Sequence, residues 1–84
     1  MLADMARFML EHSHKARECG AVFASFKAFD TPLRHRVTAG SCHFGGHRIW
    51  WEVEAESSDE ALAQLPQYVA QRTTAIPIRE LETP

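Results

Sequence analysis

Two short segments hold most of the side chains able to bind a metal or act as nucleophiles. The first, His12-Ser13-His14, sets two imidazoles two positions apart, with Cys19 five residues further on. The second, residues 41–51 (SCHFGGHRIWW), arranges Cys42, His43 and His47 around a glycine pair and ends in two tryptophans. On a strand, residues two apart point to the same side, so His12 and His14 can converge on one ion. Cys19, on the first turns of a following helix, can reach the same rim, and Glu52 and Glu54 are expected to end near it. Nitrogen, sulfur and carboxylate donors of this kind suit zinc, nickel or copper. In the second segment Cys42 and His43 should point to opposite faces, whereas Cys42 and His47 could meet across a hairpin. A thiol beside an imidazole is a candidate nucleophile, but no third group or oxyanion donor accompanies this one.

Trp50-Trp51 sends one indole to each side of a sheet. One is expected in the core; the other should line an interface or form a wall for a flat organic ligand. A carboxylate enclosed there, Glu11 or Glu52, would have its pKa raised and could move protons. Every one of these groups also has a plainer role: polar residues ending a strand, a small packed cysteine, tryptophans filling a core.

The elements that must position these residues follow from periodicity. Ala6 to His14 alternates, with Phe8, Leu10, His12 and His14 on one face, and so reads as a strand. Ala16 to Asp30 changes to steps of three and four through Cys19, Val22, Phe23, Phe26 and Phe29, an amphipathic helix stopped before Pro32. Arg36 to His43 and His47 to Ala55 read as a hairpin about Gly45-Gly46, with Ile49, Trp51, Val53 and Ala55 sharing a face. Ser57-Ser58-Asp59-Glu60 is a capping box opening a second helix, which Pro66 should kink or split. Thr74 to Glu82 closes the chain as a strand whose Pro77 belongs at a sheet edge.

The order βαββαβ predicts an α+β, ferredoxin-like domain over residues 1–84, in which a four-stranded antiparallel sheet carries two helices on one face. Met1 to Asp4, or Met5 at most, form a loose leader. Right-handed crossovers are expected to place the first and third strands side by side and parallel. The hairpin then falls at the opposite end of the first strand from His14, and the two reactive segments form separate sites. The uncovered sheet face would carry Met9 and Trp50, or else Phe8 and Trp51. An apolar face of that kind is usually covered, which predicts a homodimer through the sheets.

Bulk properties narrow the classes. A chain of 84 residues with a formal charge of −2 carries no stripe of basic residues, which disfavours nucleic acid and anionic membranes as partners. Arg34-His35-Arg36 is the one short basic cluster, read as a solvated connection that could draw an anion to the mouth of a barrel. No apolar run is long enough to span a bilayer, and the start lacks the pattern of a signal peptide. Two cysteines in that setting fit free thiols in a reducing cytoplasm.

The element order, the HSHKARECG opening and the GGHRIWWEVEAESSDEAL passage together resemble the ferredoxin-like dimeric α/β-barrel superfamily. The likeness is greatest to its small uncharacterised bacterial members, and more distant to muconolactone isomerase and to small nickel-binding relatives. It implies a homodimer whose sheets face one another around a cavity. That superfamily hosts isomerases, monooxygenases, haem enzymes and proteins without catalysis, so the fold does not assign a reaction. The leading expectation is a small organic ligand, either bound or bound and transformed, in the cavity between facing sheets. The alternatives are a nickel, zinc or copper protein using His12 and His14, and an interaction module without chemistry.

Overall fold

The computed structural model describes residues 5–84; the expected leader, Met1 to Asp4, lies outside them. The elements are β1 (Ala6–Ser13), a 3-10 turn (Ala16–Glu18) running into α1 (Cys19–Ser25), β2 (Ala39–Gly40), β3 (Arg48–Ala55), α2 (Ser58–Leu62), α3 (Gln67–Ala70) and β4 (Thr73–Ile78). The four strands form one antiparallel sheet in the order β2-β3-β1-β4.

Alternation in β1 and β3 builds the core. Phe8, Leu10 and His12 from β1 and Ile49, Trp51, Val53 and Ala55 from β3 are buried on one face of the sheet. Val22 of α1, Leu33, Ala61 of α2, Leu65 and Val69 of α3 close over the apolar members of that face to make a single cluster. Burying each large apolar side chain contributes about 1.5–3 kcal/mol. The other face holds Met9, Glu11, Trp50 and Glu52, and β4 presents Thr74 and Ile76 in register with Glu11 and Met9. Of the two registers open from the alternation, the one exposing Met9 and Trp50 is found.

Local signals account for the element ends. The Ser57 side chain accepts a hydrogen bond from the Glu60 backbone N–H, and Pro66 separates α2 from α3 as its missing donor requires. β4 is an edge strand, so the absent N–H of Pro77 leaves no ladder bond unmade. The first helix is shorter than its periodicity suggests, because only Val22 of α1 is fully covered while Phe23 remains half exposed.

Two expectations are corrected. β2 is two residues long rather than spanning Arg36 to His43, and Cys42–Phe44 form a 3-10 turn. More consequentially, β1 and β3 are antiparallel, with Ala6 opposite Ala55 and Ser13 opposite Arg48. The reason is topological. The helical crossover carries the chain from β1 to the far side of β3, so β2 runs with β1, and the hairpin sends β3 back between them. The hairpin therefore lies at the same end of the sheet as His14, not the opposite one. Glu52 and Glu54 sit opposite Met9 and Arg7, away from that end.

Candidate metal centre

Antiparallel registry brings the two reactive segments together. Ser13 is opposite Arg48, and the next step is closed by the His14 N–H donating to the His47 carbonyl at 3.1 Å. His14 continues the inward alternation of Leu10 and His12 and is nearly buried. The chain then reverses through the turn at Ala16–Glu18. There the Lys15 N–H donates to a Glu18 carboxylate oxygen at 2.8 Å, and the Glu18 N–H donates to the Lys15 carbonyl at 2.8 Å. Arg72 holds the other Glu18 oxygen at 3.1 Å and stacks 3.9 Å above the Tyr68 ring, anchoring this turn to the end of α3. That backbone N–H of Lys15, then Arg72, hold the Glu18 carboxyl below its ordinary pKa. The first residue after the turn is Cys19.

The hairpin supplies the other half. Ser41 organises it by donating its N–H to the Arg48 carbonyl and accepting at its carbonyl from Phe44 and Gly46. Gly45 takes φ 82, and a Cβ on Gly46 would collide with the Ser41 side chain. His47 itself has φ 50, a left-handed conformation uncommon for a residue with a side chain and often found at functional positions. The turn folds Cys42 and His47 back onto one side.

The result is a four-residue cluster of His14, Cys19, Cys42 and His47, whose donor atoms all lie within 4.8 Å of one another. His14 Nε2 is 3.0 Å from Cys19 Sγ and 3.6 Å from Cys42 Sγ, and Cys19 Sγ is 3.3 Å from His47 Nδ1. Both cysteines are free and partly buried. Burial, followed by the neighbouring Cys19, pushes the Cys42 thiol up. Burial also lowers the His14 pKa, as does the adjacent His47. Both directions favour the uncharged form, thiol at Cys42 and neutral imidazole at His14.

His12 stands behind the cluster. It is fully buried, with Nε2 3.0 Å from His14 Nδ1 and Nδ1 3.0 Å from Thr73 Oγ1. The Thr73 hydroxyl donates to the Val69 carbonyl at 2.7 Å, and a carbonyl can only accept. The polarity of the whole chain follows. Thr73 Oγ1 must accept from His12 Nδ1–H, so His12 Nε2 accepts from His14 Nδ1–H. His14 Nε2 is left with its lone pair directed at the two sulfurs, the tautomer a metal ligand needs. Burial, then the neighbouring His14, lowers the His12 pKa, in keeping with a neutral ring.

The remaining sequence candidates are distributed elsewhere. His43 is exposed in the turn. Glu52 pairs with Arg7 at 2.9 Å, and Glu54 is exposed. Glu11 accepts from the Trp50 indole N–H at 3.1 Å on the open sheet face. Trp51 is buried between Phe26 and His12, with ring centroids 6.0 Å from each. The two-site expectation is thus replaced by one site drawing a His and a Cys from each segment. A signal for it exists in the spacing. His14 and Cys19, and Cys42 and His47, are each separated by four residues, a reciprocal pair of chelating steps. Comparison with protein-family models, curated proteins and solved structures returns no match.

Proposed function

We propose that the chain is a zinc-binding domain in which His14 Nε2, Cys19 Sγ, Cys42 Sγ and His47 Nδ1 hold one ion in a closed tetrahedral site. The observation that carries this reading is the mutual closeness of the four donors. Bonds of about 2.0–2.1 Å to nitrogen and about 2.3 Å to sulfur require tetrahedral edges of about 3.3–3.8 Å. The three nitrogen–sulfur separations of 3.0, 3.3 and 3.6 Å lie within about half an ångström of that requirement, and every other donor pair lies within 4.8 Å. Two thiolates balance the charge of a divalent ion, which suits a partly buried position. Zinc imposes no geometry of its own, whereas divalent nickel and copper favour planar or tetragonal sites.

Four protein ligands leave no position open for substrate or water, so the ion's role is structural. It ties the end of β1, the start of α1 and the hairpin into one unit. Titration of the reduced, tag-free chain with zinc, followed by native mass spectrometry, should show one ion per chain. Cobalt should give the visible bands of a tetrahedral thiolate site. Absence of one-to-one binding, or unchanged binding in Cys42→Ser, defeats the proposal.

The open sheet face favours a second copy as partner. Met9 and Trp50 are half buried there, and Ile76 is 38 % exposed. We propose a homodimer through this face, to be checked by sedimentation against the 9.5 kDa of a single chain. Only Trp50 of the two tryptophans would line that interface, since Trp51 faces the helices.

A further inference from the structure

The shortness of β2 opens a second feature, independent of the metal cluster. Where residues 36–38 leave the sheet, side chains take over the ladder: Thr38 Oγ1 donates to the Trp50 carbonyl, and the Arg36 guanidinium donates to the Glu52 carbonyl at 3.0 Å. Two carbonyls on the edge of β3 are thereby bonded without a strand covering them. Between this departing chain and α1 lies a cup of about 260 Å³. Its floor is Leu33, Ile49 and Trp51, all buried, and its wall is Phe23 and Phe26.

The rim differs in character from the floor. It carries Lys27, Arg34 and Arg36 and no carboxylate. None of the three cations forms an ion pair among the described residues, although acidic residues outnumber basic ones in the chain. Between the two arginines His35 has φ 63, a left-handed conformation uncommon for a residue with a side chain. An aromatic-walled hollow under three unneutralised cations is complementary to a flat apolar body bearing one negative group. The volume falls below the roughly 300–1,000 Å³ of pockets for drug-sized molecules, which limits the occupant to one or two rings.

We propose that this cup is a binding site for a small aromatic carboxylate, with the ring against Phe26 and the Trp51 edge and the carboxylate among Lys27, Arg34 and Arg36. The site lies on the helix side of the sheet, so it is separate from any cavity between paired sheets. The test uses the full chain carrying Trp50→Phe, which leaves Trp51 as the sole tryptophan reporter, with 2-naphthoate as the probe and 2-naphthamide as its neutral counterpart. Naphthoate should change Trp51 emission saturably. In nitrogen–proton correlation spectra the largest shifts should fall at Leu33, Ile49 and the Trp51 indole. The double variant Lys27→Gln/Arg34→Gln, which alters two exposed side chains, should weaken binding by about fivefold, the scale of exposed charge pairing. Equal binding of the amide overturns the proposal. So does an unchanged affinity in the double variant, shifts centred on Met9 and the open face, or no saturation at millimolar probe.

Discussion

The two ends of the central β1–β3 pair both carry clusters of polar side chains, and they behave as opposites. At one end Arg7 bridges Glu52 and Glu80, with side chains 34, 46 and 84 % exposed. At the other, His12, His14, Cys19, Cys42 and His47 are buried or partly buried, and burial favours the neutral forms of His12, His14 and Cys42. Solvated charges exchange one set of partners for water at little cost, so the Arg7 end is worth little. The donors at the His14 end have lost their water and are held in place by backbone, so an ion that enters finds its ligands already positioned. Polar clustering alone does not make a site. Desolvation, donor softness and fixed orientation do.

This contrast can be broken or sharpened in order of effect. The largest change is expected from the ligands themselves. Cys19→Ala or Cys42→Ala should abolish tight zinc binding, and zinc added in hundredfold excess over its Kd should stabilise the native chain by about 2.7 kcal/mol but leave these variants unmoved. Thermal unfolding with and without zinc and chelator measures both.

Next comes His12, which touches no ion but orients His14. His12→Phe keeps a buried aromatic ring while removing the acceptor for His14 Nδ1–H, and should lower zinc affinity by about 10–100-fold. His12→Asn, which can again accept at that position, should recover part of the loss. Competition with a chromophoric chelator gives the affinity, and melting of the metal-free variants separates positioning from packing. A His12→Phe variant that binds zinc as tightly as the parent would remove His12 from the site's design.

A smaller effect concerns acidity. Folding lowers the pKa of His12 and His14 from an ordinary 6.5, so below that value the unfolded chain binds more protons than the folded one. Stability of the metal-free protein should be fully present above about pH 6.5 and decline as pH falls through the lowered folded-state values. Denaturant melts from pH 8 to 5 record it, and His12→Phe should flatten the curve. Zinc affinity should rise with pH over the same range, because both thiols must give up protons to bind. The smallest change belongs to the opposite end: Arg7→Gln should cost about 1 kcal/mol or less and leave zinc binding unaltered.

Much of the architecture is legible in residue order. The alternation of Phe8, Leu10 and His12 and of Ile49, Trp51, Val53 and Ala55 assigns the inward faces of β1 and β3, because side chains on a strand alternate whatever they pair with. The Ser57 cap and the break at Pro66 are local hydrogen-bonding facts, carried by four or five neighbouring residues. The limits of β2 and α1 are less legible. A strand needs a partner along its length, and here the side chains of Arg36 and Thr38 bond two β3 carbonyls instead.

The candidate site divides along the same line. His14, Cys19, Cys42 and His47 are recognisable as donors from residue type, and the four-residue gaps within each His–Cys pair are visible in the chain. That the pairs meet depends on the direction of β3 relative to β1, a property of the whole sheet that no short window of sequence contains. Parallel strands would put the hairpin a full strand length from His14; antiparallel registry puts His47 opposite it. His12 makes the same point at the scale of one ring. Its inward face follows from alternation, but its partners Thr73 and Val69 arrive from the far end of the chain. Sequence alone determined which side chains face inward and which can donate. Tertiary structure decided which of them share one ion and which one stands behind it, because convergence requires strand direction and long-range closure.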